Sequence, residues 1–404
     1  MIWVGGKVIT ALIFWMFVGV GVSEGQDSST VTQEDYDSLH AEVIELRKIK
    51  EIHHREHRQG EKYYEMGEEY FPTYGSTLER VKKRGYIICG TYPEFPGFSE
   101  EKDFDTTLPE RQSKVWVGFD VDICRAIAAS IFGNHFSIRF IGINGRTRFE
   151  RLIDGSIDVL SAATTWTFSR DVEKKLEYVA TTYYDGQGFM VRKNLGVSSA
   201  KQLVGATVCF SEASTAAQNI KDFFEYHEIR YVPISVAPHQ NVKELYAAGE
   251  CDMYGTDRSG LASNRLSFEN PDRHIILPEV ISKEPLGPVV KYGDQQWADI
   301  VRWSIFVLFI GEEMGITQGN IDGLKKHKNP SIQRFMGERN GEEYPNLGIK
   351  LGLDKLWSYF IIKQLGNYGE IYERNVGINT PIGLNRGLNK LYKHGGLIYA
   401  PPLR

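Results

Sequence analysis

Arg170 lies in the run Thr164-Thr165-Trp166-Thr167-Phe168-Ser169-Arg170-Asp171, where hydroxyls and an aromatic ring gather around one guanidinium. That set suits a small carboxylate, because the planar fork of an arginine holds both oxygens at once while hydroxyls add donors. Beside Asp171 and Glu173 the same arginine also suits a surface ion pair. Farther along, Ser214 and Thr215 precede a helical pattern that starts near Ala216; there they would cap the helix or offer hydroxyls and amides to an anion. A zwitterion needs both a cation with donors and an anion with acceptors, in a desolvated cleft where charge-assisted bonds count. Trp166, next to the hydroxyl loop, is either a wall for such a ligand or an ordinary core aromatic.

The elements that must position these residues alternate between strand and helix, which predicts parallel sheets covered on both faces. From Ser76 onward the pattern predicts a charged helix over Thr77–Arg84 and an apolar strand over Tyr86–Thr91. A helix over Asp122–Ile131 stopped by Gly133, a strand over Ser137–Ile143, a helix over Arg148–Ile153 and a strand over Asp158–Ser161 follow. A second set has strands at Thr207–Phe210, Tyr231–Val236, Cys251–Gly255 and His274–Pro278, with helices at Thr215–Tyr226 and Val242–Ala248. Two linker-like passages, near Asp185–Val191 and Lys283–Lys291, suggest that the second α/β unit is inserted into the first and closes on it like a hinge. Amphipathic spacing then predicts helices over Trp297–Phe309, Asp354–Leu365 and Leu384–Tyr392, completing the first unit.

Composition narrows the field. The 404 residues are 42% apolar and 25% charged with a net charge of -5, an ordinary globular chain long enough for two cores. With no basic stripe through the globular part, nucleic acid is not an expected partner. Lys7 followed by the apolar run Val8–Val22 and small residues at Gly21, Ser23 and Gly25 predicts a signal peptide over residues 1–25; the alternative is an uncleaved anchor. Residues 26–75 form a charged helical arm or spacer, in which His53 and His57 lie four apart without a third metal ligand at a recognisable spacing. Export permits disulfides. Local pairing of Cys89 with Cys124 and of Cys209 with Cys251 would close loops of about 35 and 42 residues; four buried free thiols are the alternative.

With these elements in place, long words of the chain are similar to the periplasmic general L-amino-acid-binding proteins of ABC importers, which have the type II periplasmic-binding-protein fold. The matching words are GFDVDICRAIAASIFG, TTWTFSRD, TTYYDGQGFMV, VISKEPLGPVV, GNYGEIYERNVG and GGLIYAPPLR, spread over Ser76 to Arg404. The four cysteines also fall where the family's do. The resemblance implies two lobes, 76–187 and 188–286, with 287–404 returning to the first lobe and adding C-terminal helices. It implies capture of an L-amino acid, polar or acidic members favoured, and delivery to permease subunits by a periplasmic monomer without cofactor or metal. Residue by residue, Arg170 matches the position that binds the ligand α-carboxylate and Thr165 a hydroxyl that accompanies it. Thr215 matches a second carboxylate contact from the other lobe, Asp257 the acid that pairs with the α-ammonium, and Phe95 a ring stacked over the ligand.

The chain departs from its relatives at Ala162 and Ala163, where they usually carry Arg-Asn, and at Ala213-Ser214-Thr215-Ala216, where they usually have a Gly-Thr-Thr-Thr turn. Both departures bear on side-chain recognition, and the loop at Tyr92–Phe95 is bulkier than usual. Two other functions use the same scaffold. A dehydratase-type enzyme would need a carboxylate base such as Asp185, Glu94 or Glu212 in the cleft, and no nucleophile, metal or phosphate-loop motif accompanies them. An anchored sensor domain would need the first apolar run to remain attached.

Overall fold

A computed structural model describes residues 76–103, 114–237, 241–338 and 346–404. The expected signal peptide, the charged arm with its His53/His57 pair and most of the Glu101–Lys114 stretch lie outside the described residues.

The described chain opens with helix α1 (Thr77–Arg84), whose start is fixed reciprocally: the Ser76 hydroxyl accepts from the Glu79 amide and Glu79 accepts from the Ser76 amide. Strand β1 (Ile87–Thr91) follows, then three short strands absent from the sequence reading, β2 (Glu94–Phe95), β3 (Ser99–Asp103) and β4 (Lys114–Val117), which form their own antiparallel sheet. Helix α2 (Phe119–Phe132) is buried on nearly every face; most of its residues are apolar, and its buried Asp122 is paired with Arg125 and Arg374. Next come β5 (Ile138–Gly142), α3 (Arg148–Ile153), β6 (Val159–Leu160), β7 (Leu176–Tyr178) and β8 (Tyr183–Asp185).

The chain then enters a second body through β9 (Gln187–Arg192), β10 (Thr207–Ser211), α4 (Ala216–Tyr226), β11 (Val232–Val236), α5 (Val242–Ala247), β12 (Met253–Asp257), α6 (Arg258–Leu266) and β13 (His274–Ile276). It returns along β14 (Glu284–Leu286) and β15 (Val289–Lys291) into α7 (Gln295–Glu313). Helices α8 (Pro330–Phe335), α9 (Leu347–Leu351), α10 (Trp357–Leu365) and α11 (Tyr368–Asn375) complete the regular structure.

Two five-stranded sheets result, ordered β5-β1-β6-β15-β7 and β11-β10-β12-β9-β13, each with its own core. Ile87, Val159, Ile127 and Trp297 belong to the first core, and Phe189, Val208, Ile220 and Phe224 to the second. Within each sheet the neighbours predicted from strand–helix alternation are parallel, β1 with β5 and β6, β10 with β11 and β12. The returning strand β15 and the entering strand β9 pair antiparallel with theirs. Between the two bodies, β8 and β14 run side by side, Asp185 opposite Glu284 and Tyr183 opposite Leu286. The first linker is therefore shorter than Asp185–Val191: past Gly186 the chain gains β12 and β13 as neighbours and is already inside the second sheet. At the second crossing a side chain on Gly287 would collide with the Ala180 carbonyl, so only glycine lets the paired strands approach.

The C-terminal helices pack on α2 and α7, and they also brace the crossing. Tyr368 donates to the Thr182 carbonyl at 2.9 Å, while the Asn389 side chain takes the Tyr184 amide at 2.6 Å and returns a bond to its carbonyl at 3.1 Å. The helix expected over Leu384–Tyr392 does not form. Gly383 and Gly387 sit at φ 62° and 47°, and the segment folds as two single turns, Gly387–Asn389 and Tyr392–His394, that present Asn389 to β8. The helix expected from Asp354 begins at Trp357, the Asp354 carboxylate accepting from the Leu356 amide. No helix among the described residues is long and apolar enough to cross a membrane.

Both local disulfides are formed. Cys89 in β1 joins Cys124 in α2 with Cα atoms 6.4 Å apart, and Cys209 in β10 joins Cys251 ahead of β12 with Cα atoms 5.8 Å apart. Loops of 35 and 42 residues each restrict the unfolded chain by about 4 kcal/mol in the chain-entropy treatment.

Candidate functional site

Arg170 emerges from a wide single helical turn, Ser169–Glu173, directly after the hydroxyl loop, and its side chain is buried at 7% exposure. The Thr165 carbonyl aims it: Arg170 Nη1 donates there at 2.8 Å, and Tyr178 Oη donates to the same oxygen at 2.8 Å. Thr165 is buried and bridges to Leu286 on the returning strand, so the loop is fixed from below by the crossing. Among the described residues no carboxylate lies within ion-pair distance of Arg170; Asp171, its expected surface partner, instead accepts from Trp166 Nε1 at 2.8 Å. Burial, and then the nearby Arg148, push the Arg170 pKa down, the sign of a cation waiting for a counter-charge.

Arg170 opens onto a cleft of about 570 Å³ between the two bodies. Phe149, Thr167, Ser169 and Lys174 line it from the first body, Ser214, Thr215, Gln218 and Asn219 from the second, and Lys283 and Glu284 from the crossing. Ser214 does the capping at α4: its hydroxyl accepts from the Ala216 amide at 3.1 Å and donates to the Ser211 carbonyl at 2.7 Å. Thr215 makes no capping bond. Its hydroxyl donates to Glu284 Oε2 at 3.1 Å and accepts from Gln187 Nε2 at 2.7 Å. Asn219, one turn on, donates to Gln187 and to Glu284, both at 3.0 Å. Thr215 thus belongs to a half-buried polar wall organised by the buried Glu284.

Asp257 ends β12 opposite Gln187 and reaches that wall through it. Its carboxyl is pushed well above the usual carboxylate range, first by burial and then by Asp185 and Glu284; Gln187 and Arg170 pull the other way. Asp185 is raised as well, mainly by burial, although the Gly186 and Ser259 amides donate to it. The cleft is therefore lined by the cations Arg170 and Lys174 on the first body and by Lys283 and Glu284 at the crossing, with the acids Asp185 and Asp257 behind Glu284. Among the described residues no acid, histidine or cysteine cluster is placed to hold a metal.

Of the residues singled out in the sequence, Arg170, Ser214 and Thr215 line the cleft; Thr165 and Asp257 stand behind it. Trp166 and Phe95 do neither. Trp166 is 40% exposed and stacks on Tyr178 with centroids 5.5 Å apart, bracing the arginine turn from outside. Phe95 stacks on Phe98 at 4.8 Å and faces α6, where Ser263 donates to the Pro96 carbonyl at 2.9 Å, so it sits at the seam between the bodies. Sequence reading missed Gln187, Asn219, Glu284 and Tyr178. Asn219 was legible as the residue one turn into the helix capped beside Thr215, and Glu284 as the only acid inside the Pro-Gly-rich crossing.

The departures at Ala162 and Ala163 have a structural consequence. Ala163 holds φ 41°, a conformation that suits asparagine better than alanine. Its amide donates at 2.9 Å to Asp120, which also accepts from the Ser161 hydroxyl at 2.9 Å. Burial raises the Asp120 pKa from 3.8 to about 6 despite these bonds. Between those values the folded chain holds a proton that the unfolded chain has lost, so this residue's contribution is full below about pH 4 and is lost as pH rises through about 6. Asp120→Asn is expected to remove that slope, a difference on the order of 2 kcal/mol between pH 4 and 7, read by urea unfolding of both proteins across this range. Identical pH profiles would show that Asp120 titrates alike in both states.

The comparisons agree on one family. The model for bacterial extracellular solute-binding proteins, family 3, matches residues 88–329. The glutamate/glutamine/aspartate/asparagine-binding protein BztA of Rhodobacter capsulatus is 47% identical over 330 residues, 81% of this chain and 94% of that one. The general L-amino acid-binding periplasmic protein AapJ of Rhizobium johnstonii is 46% identical, over 81% of this chain and 93% of that one. An ABC transporter periplasmic binding protein from Brucella ovis, solved with glutathione bound, is 43% identical with a TM-score of 0.77, covering 82% of this chain and all of that one.

Proposed function

The chain belongs to the bacterial extracellular solute-binding proteins, family 3, and from that premise we propose how it takes its ligand. It is an amino-acid-binding protein of an ABC importer, not an enzyme. Arg170 holds the ligand α-carboxylate, steered by the Thr165 carbonyl, and Asp257 meets the α-ammonium from the opposite side of the cleft. Ser214 and the Thr215–Gln187–Glu284 wall supply the polar contacts between them. The observation that carries this reading is the buried guanidinium of Arg170, which lacks a carboxylate partner among the described residues and opens on a cleft with Glu284 at its crossing and Asp257 behind it.

Polar and acidic L-amino acids are the favoured ligands, since charged and hydrogen-bonding side chains make up most of the cleft lining. A γ-glutamyl peptide is a second reading, supported by the 570 Å³ cleft and by the glutathione held by the Brucella ovis relative. The lobes are 76–187 with 287–404 and 188–286, joined at β8 and β14, and bridging by the ligand stabilises their closed arrangement. Residues 1–25 direct export, the protein works in the periplasm as a monomer, and it hands its ligand to the permease subunits.

A thermal-shift screen of the standard L-amino acids and glutathione tests this. A site ligand at a hundred times its Kd adds about 2.7 kcal/mol by mass action, so at least one polar or acidic compound raises the melting temperature by several degrees. No shift with any of them would sink the reading.

A further inference from the structure

Arg148 is a second buried cation beside the cleft. It begins α3, is 5% exposed, and its guanidinium lies over the Phe149 ring at 4.7 Å. The Arg170 guanidinium lies over the same ring at 5.5 Å, and the Arg148 charge lowers the Arg170 pKa, so the two fields overlap. Arg148 Nη1 donates to Tyr92 Oη at 2.9 Å and Nη2 to the Ala213 carbonyl at 3.4 Å, while Nε is buried with no hydrogen-bond partner among the described residues. No carboxylate among the described residues pairs with it either. Two neighbouring buried cations without an anion are costly unless a ligand supplies negative charge.

One α-carboxylate neutralises one of them. Ala213, which Arg148 touches, lines both the main cleft and an adjoining pocket of about 340 Å³ that also contains Phe149, the cations Arg146 and Lys174, and one acid, Glu150. A second carboxylate on the ligand has room there.

We propose that Arg148 is a specificity-determining residue: with Arg170 it forms a two-guanidinium field that selects amino-acid ligands carrying a second carboxylate over their uncharged amide counterparts. The inference rests on the amino-acid-binding reading and assigns its acidic preference to one side chain. Arg148 acts by charge from behind Phe149 and need not touch the ligand. L-glutamate and L-glutamine differ by that one charge at nearly equal shape, so they isolate the effect.

Calorimetric titrations of the native chain, Arg148→Gln and Arg148→Lys with both probes test it. The native chain binds glutamate at least about tenfold more tightly than glutamine, Arg148→Gln brings the two within about threefold, and Arg148→Lys, which keeps the charge, keeps the preference. Equal weakening for both probes in Arg148→Gln, a merely structural effect, overturns the proposal and leaves amino-acid binding intact. So does a native chain that binds both alike, or loss of the preference in Arg148→Lys. Binding of neither probe by the native chain overturns this inference and the amino-acid reading together.

Discussion

Arg170→Met binds an amino-acid ligand at least about a hundredfold more weakly than the native chain, while the ligand-free protein melts no lower. The two halves of that result have one cause. In the free protein Arg170 is buried beside Arg148 with a carbonyl and a ring for company, and burial lowers its pKa, so its charge opposes folding. Methionine fills a similar volume without that charge. On the proposed reading the ligand brings a carboxylate to the same guanidinium, and truncating one partner of such a buried pair costs about 3 kcal/mol or more. Calorimetry and thermal scans of both proteins check the pair of effects. Affinity within tenfold of the native value would place the carboxylate elsewhere.

Asp257→Asn has the opposite ledger for charge and the same outcome for binding. Burial, Asp185 and Glu284 raise the Asp257 pKa well above the carboxylate range. A raised acid contributes stability that is present below its unfolded value and lost as pH rises through its folded value, so at neutral pH its ionisation works against the fold. Asparagine removes that ionisation. The ligand-free variant therefore melts higher than the native chain at pH 7, and the gap narrows toward pH 4. On the proposed reading the ligand ammonium meets Asp257, and without that carboxylate affinity falls by about a hundredfold. A variant that melts lower and binds as before would remove Asp257 from the site.

Much of this arrangement was legible from the chain, for physical reasons that can be named. Alternating apolar runs and helical stripes located β1, β5, β10, β11 and the main helices, because burial imposes those periods on sequence. Two linker-like passages, the first with glycines and the second with glycine and prolines, marked the crossings, though β9 starts inside the first of them because pairing, which sequence does not display, turned it into a central strand. Strands β2 to β4 and helix α6 are short or polar and left no period to read. Leu384–Tyr392 had the spacing of a helix, but Gly387 within it and Gly383 just before it adopt positive φ, and its Asn389 is drawn to β8.

The site divides the same way. Arg170 showed its chemistry through residue type, whereas its lack of an ion pair with Asp171 depends on Trp166 taking Asp171 away. Glu284 stood out only as the single acid of the second crossing; its partners Thr215 and Asn219 come from the other body and left no sign in the local sequence. Phe95 and Trp166 look alike as aromatics beside a loop, and only packing distinguishes a seam or a brace from a ligand wall.

Isothermal calorimetry of the native chain with L-glutamate, L-aspartate, L-glutamine and L-asparagine bears most directly on capture of an amino acid between Arg170 and Asp257. One saturable site per chain for at least one of these ligands, weakened in both Arg170→Met and Asp257→Asn, is the predicted result. Saturable binding that survives both substitutions, or no binding by the native chain at all, would contradict it.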